Sequence, residues 1–179
     1  MTRQLSKKVC LLGDFSVGKT SMIRRFVFNM FDDKYLSTIG VKVSRKTVVV
    51  PQANDVVELM IMLWDLAGSH EFNQMQASYY RGAAGAMLVG DLTRLDTIEN
   101  LHTYANNFLE INPNASLVLA ANKYDLIQNN HLSEAQPKML EQIKNITSQF
   151  DMPYYLTSAK TGDAVETVFR HLAERLVSN

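Results

Sequence analysis

The chain has 179 residues, and its 18 basic residues are balanced by 18 acidic ones, so the formal net charge is zero. That balance excludes a protein whose overall charge attracts nucleic acid or an anionic bilayer. No apolar stretch reaches the roughly 18 residues of a membrane-spanning helix, and the single cysteine, Cys10, cannot form an internal disulfide. We therefore expect one soluble, cytoplasmic domain with a sizeable core.

The first predicted elements are a strand at 9–12 and a helix from residue 20 to about residue 28. The eight residues between them, GDFSVGKT at 13–20, fit the pattern G-x-x-x-x-G-K-S/T. In that pattern a loop between strand and helix surrounds phosphate groups with its backbone N–H groups. Lys19 is predicted to place its charge on the β- and γ-phosphates, and the Thr20 hydroxyl to bind Mg²⁺.

Two strands follow, at 41–50 and 56–64, and the turn 51–55 predicts that they form an antiparallel hairpin. The second strand is apolar on both faces, so we expect it inside the sheet. The first strand has the alternation typical of one wet face, with Val41, Val43 and Val49 on one side and Lys42, Ser44 and Lys46 on the other.

The second strand runs into Trp64-Asp65-Leu66-Ala67-Gly68. A carboxylate that follows an apolar strand, downstream of a phosphate-binding loop, is typical of a Mg²⁺ site. We expect Asp65 to bind the metal through water, because Mg²⁺ keeps much of its hydration shell. Gly68 is predicted to donate its backbone N–H to the γ-phosphate, where a side chain would obstruct the approach.

Strands are also predicted at 86–90, 116–121 and 153–156, and helices lie between them. This alternation favours an α/β domain with a mainly parallel sheet. Asp96 is the predicted N-cap of one helix, with Glu99 three residues later. The inward stripes of this helix and of the last helix are Ile98, Leu101, Ala105 and Phe108, and Val165, Val168, Phe169, Leu172 and Leu176.

The motif Asn122-Lys123-Tyr124-Asp125 follows the predicted strand 116–121. A carboxylate at Asp125 can accept hydrogen bonds from N1–H and the 2-amino group of guanine. Adenine has no donor at either place, so a buried carboxylate would reject it. Ser158-Ala159-Lys160, after the last strand, offers the Ala159 N–H to the guanine O6. The predicted ligand is a guanine nucleotide.

These four motifs, each after a strand, make the chain resemble the Ras superfamily of small GTPases over nearly its whole length. Residues 35–41, 63–65 and 78–83 make it most similar to the Rab branch. The resemblance implies one P-loop G domain over residues 1–179. It also implies a six-stranded, mostly parallel sheet with one antiparallel edge strand and about five helices on its two faces.

The resemblance further implies a GTP/GDP switch with Mg²⁺, in which Thr38 binds the metal and the γ-phosphate and Phe31 makes an edge-on contact with the guanine. The catalytic set is Lys19, Thr38, Gly68 and Ser69, and the metal set is Thr20, Thr38 and Asp65. The nucleotide-binding set is Asp14, Phe15, Ser16, Val17, Gly18, Lys19, Thr20, Ser21, Phe31, Thr38, Gly68, Asn122, Lys123, Asp125, Ser158, Ala159 and Lys160.

The implied partners are effector proteins that bind the switch loops 29–41 and 65–80, a GAP and an exchange factor. The effector surface includes Trp64 and Tyr79, with Val43 where Rab proteins usually carry Phe. We expect a monomer that binds no nucleic acid. Since the sequence ends without a cysteine for prenylation, either a tail has been trimmed or the protein has no lipid anchor, as in prokaryotic Ras-like GTPases. Membrane association is expected only if a missing C-terminal tail is lipidated.

Three departures from the family concern hydrolysis. Ser69 stands where the family has a glutamine that orients the attacking water, Leu66 replaces a threonine, and Phe15 and Ser16 replace two glycines of Ras. His70 is a second residue that can in principle substitute for the glutamine. We therefore expect slow hydrolysis, and the alternative is a GTP-binding interaction module with little or no turnover. A P-loop kinase is disfavoured because the sequence offers no second substrate pocket or lid arginines.

Overall fold

The computed structural model describes residues 2–34, 37–52, 55–68, 74–128 and 135–178. Six strands in these ranges form one sheet: β1 Thr2–Leu12, β2 Val41–Pro51, β3 Val56–Leu66, β4 Gly85–Asp91, β5 Ser116–Asn122 and β6 Tyr154–Leu156. The strand order is β2-β3-β1-β4-β5-β6. Only β2 runs antiparallel to its neighbour, and it lies at the edge. The predicted fold is confirmed.

The described residues form seven helical segments: α1 Lys19–Phe28, α2 Gln74–Tyr80, α3 Leu95–Glu99, α4 Leu101–Ile111, α5 Asp125–Gln128, α6 Ala135–Gln149 and α7 Val165–Ser178. Five of them have seven or more residues, which matches the expected number. None of the described helices is long and apolar enough to cross a membrane.

Two apolar clusters cover the two faces of the sheet, as expected when crossover helices pack on both sides of parallel strands. On one face α1 and α7 meet through Phe26 and Phe169, whose rings stack at 4.0 Å. On the other face Tyr80 and Phe108 pack edge to face at 5.4 Å. Neighbouring residues of β1 alternate between the clusters, and all four of 9–12 are buried.

The predicted orientation of β2 is wrong. Val43 and Val49 are 43% and 51% exposed, whereas Val48 and Val50 are buried on the opposite face. The pairing with β3 decides this, because Val48 and Val50 lie beside the buried Leu59 and Val57 under α7. That face also accommodates Lys46, whose ammonium donates to the Phe26 carbonyl at the end of α1 and lies 4.0 Å from the Phe26 ring.

The predicted N-cap at Asp96 is also wrong. Helix α3 begins at Leu95, so its N-cap is Arg94 and Asp96 lies within the first turn. The turn before this helix is closed by the Thr97 hydroxyl, which donates to the Arg94 carbonyl at 2.7 Å and accepts the Asp91 N–H at 2.9 Å. The inward stripe of this region is as predicted, since Ile98, Leu101, Ala105 and Phe108 are fully buried.

The parallel strands place the sequence motifs on one side of the sheet, where the carboxyl ends of these strands lie. β1, β3, β5 and β6 all end there, and residues 13–20, 65–68, 122–125 and 158–160 follow or complete those ends. Crevices beyond the carboxyl ends of parallel strands are the usual ligand sites of such sheets. The fold therefore brings together segments that lie more than a hundred residues apart in the sequence.

Candidate functional site

A cavity of about 520 Å³ lies at this edge of the sheet. Its wall contains most of the residues predicted to bind the nucleotide or the metal: Phe15, Ser16, Gly18, Lys19, Thr20, Ser21, Phe31, Thr38, Asp65, Gly68, Asn122, Lys123, Asp125, Ala159 and Lys160. Ser69 and His70 fall outside the described residues.

Three predicted site residues, Asp14, Val17 and Ser158, are buried behind the cavity wall. The Asp14 carboxylate accepts hydrogen bonds from the Asn100 amide at 2.8 Å and the Tyr104 hydroxyl at 3.0 Å. These bonds anchor the start of the phosphate loop, residues 13–20, to the α3–α4 region.

The phosphate loop adopts backbone angles that require glycine. Gly13 and Gly18 have φ of 142° and 106°. A Cβ on Gly13 would lie 2.1 Å from the Val89 carbonyl oxygen, and one on Gly18 2.2 Å from the Asn122 amide nitrogen. Gly18 is also the N-cap of α1, where no side chain caps the helix. The free N–H groups and the helix dipole make this end of α1 suitable for an anion.

Lys19 is held inside the loop and is only 6% exposed. Its ammonium donates to the carbonyls of Gly13 and Asp14, both at 2.7 Å. Burial lowers the pKa of Lys19 to about 8, although the carboxylates of Asp65 and Asp14 act in the opposite direction. A phosphate group beside this ammonium would favour its charged form.

The predicted metal ligands lie together. The Thr20 hydroxyl donates to Asp65 Oδ2 at 2.6 Å, and the hydroxyls of Thr20 and Thr38 are 2.7 Å apart. Asp65 Oδ1 is buried and has no hydrogen-bond partner among the described residues, and burial raises the pKa of Asp65. An unpartnered buried carboxylate oxygen beside two hydroxyls fits Mg²⁺, which prefers oxygen ligands.

Gly68 lies directly against the phosphate loop. A Cβ at this position would come within 2.4 Å of the Phe15 nitrogen and 2.5 Å of the Asp14 carbonyl carbon. One residue earlier, the Ala67 N–H donates to the Gly40 carbonyl at 3.0 Å. The segment after β3 thus contacts both the phosphate loop and the segment that carries Thr38.

Asn122 connects three loops at the other part of the cavity. Its amide donates to the Val17 carbonyl at 2.9 Å, and its Oδ1 accepts the Ala159 N–H at 3.1 Å. Nearby, the Ser158 hydroxyl donates to Asp125 Oδ1 at 2.6 Å. This bond fixes the orientation of the Asp125 carboxylate at the cavity wall.

The comparisons with known proteins decide the family. A sequence profile of the Ras family matches residues 8–178. The chain belongs to the Ras family. It is 38% identical over 172 residues to the Ras-related protein Rab7 of Drosophila melanogaster, an alignment that covers 93% of this chain and 78% of that protein.

Two further relatives extend this result. The human Ras-related protein Rab-31 is 34% identical over 170 residues, which cover 94% of this Ras-family chain and 82% of the relative. The GTP-binding protein ypt4 of Schizosaccharomyces pombe is 31% identical over 172 residues, which cover 96% of this chain and 71% of the relative. The chain is therefore a Rab-like member of the Ras superfamily, as its motifs predict.

The predicted effector surface of this Ras-family chain has an added cation. The rings of Trp64 and Tyr79 are 6.4 Å apart, and Val43 pairs with Trp64 across β2 and β3. The Lys8 ammonium lies 3.8 Å from the centre of the Trp64 ring and donates to the Arg81 carbonyl at 2.9 Å. Lys8 therefore covers part of the Trp64 ring within the surface predicted to bind effectors.

Sequence reasoning missed two arginines that hold the site together. Arg25 of α1 donates to the carbonyls of Ala159 at 2.9 Å and Lys160 at 2.5 Å. Arg94 donates to the Phe15 carbonyl at 2.8 Å. Their partners lie 134, 135 and 79 residues away in the sequence, so no local pattern distinguishes these arginines from ordinary surface charges.

Proposed function

We propose that this Ras-family protein is a guanine-nucleotide switch that binds GTP and GDP with Mg²⁺ and hydrolyses GTP slowly. The observation that carries the proposal is the single cavity whose wall contains both the phosphate loop and Asp125. One part of that wall offers a buried ammonium and free helix N–H groups, which suit phosphates. The other offers an oriented carboxylate, which suits the donors on one edge of guanine.

The proposed base selectivity follows from the hydrogen bonds that Asp125 can accept. Its Oδ1 already accepts the Ser158 hydroxyl, so the carboxylate is fixed before a ligand arrives. Guanine supplies two N–H donors to it, whereas adenine supplies none and leaves a charged acceptor unpaired. A site built to accept such donors discriminates by about 10⁴-fold or more against a ligand that lacks them.

Thr20, Thr38 and Asp65 are the residues that would hold Mg²⁺. The metal supplies positive charge that neutralises phosphate oxygens in the reaction. Two observations support this assignment: Asp65 Oδ1 has no partner in the part of the chain that the structure describes, and the pKa of Asp65 is raised. A cation would stabilise the ionised carboxylate.

In the proposed reaction a water oxygen attacks the γ-phosphorus, in line with the bond to the oxygen that bridges to the β-phosphate. That bond breaks, GDP leaves, and the proton of the water passes to phosphate or solvent. Lys19 and the Gly68 N–H would stabilise the negative charge on the transferred phosphoryl group. Since the γ-phosphate would attract Thr38 and Gly68, its loss would release both loops and so switch partner binding.

We propose slow hydrolysis because Ser69 is too short to contact both water and γ-phosphate. The expected rate is at or below roughly 10⁻⁴ s⁻¹, the scale of an unassisted Ras-like enzyme. The half-exposed Phe15 ring at the cavity mouth would also crowd an arginine supplied by a GAP. Single-turnover hydrolysis with a half-life of minutes would contradict this part of the proposal.

The second candidate function is a GTP-binding interaction module without useful turnover, which Ser69 and Leu66 favour. The variant Ser69→Gln distinguishes the two. If the remaining machinery is competent, glutamine raises single-turnover hydrolysis at least tenfold. If the rate stays unchanged, the interaction module is the better description.

We further propose that residues 1–179 form one G domain whose partners are effectors, a GAP and an exchange factor. Effectors would contact the surface formed by Val43, Trp64 and Tyr79. The departure at Val43 and the cation of Lys8 over Trp64 favour effectors different from those that recognise a phenylalanine at this position.

The central test measures GTP, GDP and ATP binding by calorimetry with Mg²⁺ present. We expect GTP and GDP to bind far more tightly than ATP, and Asp125→Asn to weaken GDP binding at least a hundredfold. The matched control is Asp96→Asn, an exposed aspartate that is absent from the cavity wall. Equal affinity for ATP and GTP, or no binding of either, would refute the proposal.

A further inference from the structure

The peptide between Phe15 and Ser16 lies in the phosphate loop and is held by a side chain from outside that loop. Ser16 has φ of 65°, in the left-handed region that residues with a Cβ rarely adopt. The Phe15 carbonyl accepts a hydrogen bond from the Arg94 guanidinium at 2.8 Å. Arg94 itself is not part of the cavity wall, whereas Ser16 is.

The direction of this bond has a consequence for the cavity. In a trans peptide the C=O and the N–H of the same unit point in opposite directions. Holding the Phe15 carbonyl from outside the cavity therefore turns the Ser16 N–H toward the cavity. A run of N–H groups with alternating right- and left-handed residues is the concave arrangement that binds anions.

Arg94 is fixed in turn by a buried carboxylate. Its Nε lies 3.3 Å from Asp91 Oδ2, and the same oxygen lies 2.6 Å from the Lys123 ammonium. The other oxygen, Oδ1, accepts the N–H and the hydroxyl of Thr93 at 2.9 and 2.6 Å. Asp91 is 1% exposed, so this carboxylate is a buried anchor that joins the turn after β4, residues 92–94, to Lys123 of the 122–125 motif.

The state of Asp91 supports the anchor. Burial by itself would raise its pKa, but the hydrogen bonds from Lys123 and Thr93 hold the pKa of Asp91 below its ordinary value. The carboxylate stays ionised at neutral pH and can pair with both cations. An ion pair whose carboxylate is buried and accepts this many hydrogen bonds is specific in geometry, unlike a fully exposed pair.

We propose that Arg94 is a positioning residue for phosphate binding: by holding the Phe15 carbonyl, it keeps the Ser16 N–H directed at the phosphates. Through Asp91 it also connects the phosphate loop to Lys123, which lies in the motif assigned to the base. This inference rests on the proposed nucleotide binding. It predicts that loss of Arg94 weakens phosphate recognition more than base recognition.

The test compares GDP and GMP affinities of the wild type, Arg94→Met and Arg94→Lys, with Arg170→Met as matched control. Arg170 pairs only with the exposed Glu166 in the described structure and lies on α7, away from the cavity. A misaligned cradle penalises each phosphate it binds, so we expect Arg94→Met to lower the ratio of GDP to GMP affinity about tenfold. Arg94→Lys, which can reach one partner at a time, should lie between it and the wild type.

Thermal unfolding of each variant separates positioning from a general loss of structure, because destabilisation alone would weaken both ligands by the same factor. Asp91 keeps Lys123 and Thr93 when Arg94 is replaced, so we expect the variants to fold; if Arg94→Met does not, Arg94→Lys carries the test. An unchanged GDP to GMP ratio in a folded variant would overturn this inference alone. A wild type that binds neither ligand would overturn the proposed function and this inference with it.

Discussion

Gly68 lies so close to the phosphate loop that one added methyl group should separate the two. A Cβ at Gly68 would be 2.4 Å from the Phe15 nitrogen, which is 1.0 Å short of the 3.4 Å at which ordinary contact begins. The obstructing atoms are backbone atoms of Asp14 and Phe15, and Asp14 is anchored by two hydrogen bonds. The loop cannot yield as the end of a flexible side chain would.

Overpacking of this kind typically costs about 1–3 kcal/mol. In Gly68→Ala this cost would destabilise the conformation in which residue 68 contacts the phosphate loop. It corresponds to roughly a 5- to 150-fold change in an equilibrium constant. Since the proposed γ-phosphate contact needs this arrangement and GDP binding does not, we expect GTP affinity to fall by that factor while GDP affinity changes little.

The assay measures dissociation constants of fluorescent GTP and GDP analogues for the wild type and Gly68→Ala. The matched control is Gly82→Ala. Gly82 likewise has a positive φ, of 74°, but a Cβ there would meet no described atom within 4 Å. Gly82→Ala should lower the free energy of unfolding by about 1 kcal/mol and leave the ratio of GTP to GDP affinity unchanged. An unchanged ratio in a folded Gly68→Ala protein would refute this reasoning.

Three further outcomes are expected. Bound phosphate would raise the pKa of Lys19 from about 8, so GDP binding should take up roughly 0.1 proton at pH 7 and 0.8 proton at pH 8.5. GDP affinity should therefore be constant below pH 8 and fall above it. Calorimetry in two buffers measures the proton uptake, and no uptake at pH 8.5 would contradict this prediction. Phe169→Ala, at a fully buried ring, should cost about 3–5 kcal/mol in urea unfolding, whereas the 58% exposed Phe28→Ala should cost under about 0.5; equal costs would contradict the packing argument. Arg25→Met should weaken GDP and GMP equally, by about tenfold, because it releases the base-side loop 158–160; a selective loss of GDP would show that Arg25 acts on the phosphates instead.

The sequence predicts the parts of this protein that depend on neighbouring residues. The angles of the phosphate loop come from Gly13 and Gly18, which lie within the motif itself. The alternation of strands and helices appears in local periodicity, and a parallel sheet then gathers the motifs at one edge. Asp65 and Asp125 are recognisable because each follows an apolar strand.

Prediction from the sequence fails where two local patterns fit equally well and contacts with distant residues determine which one forms. β2 carries valines on both faces, and only its register against β3 turns Val48 and Val50 inward. Asp96 has the spacing of a capping residue, but the turn is already closed by Thr97.

The arginines show the same limit most clearly. Nothing beside Arg94 in the chain reveals that its partner is a carbonyl 79 residues earlier, in the phosphate loop. The residues next to an arginine in the sequence do not show whether its side chain lies on a solvent-exposed helix face or binds a distant loop. Local chemistry therefore determined which groups this protein can offer to a ligand, and the packing of distant segments decided which of them hold the others in place.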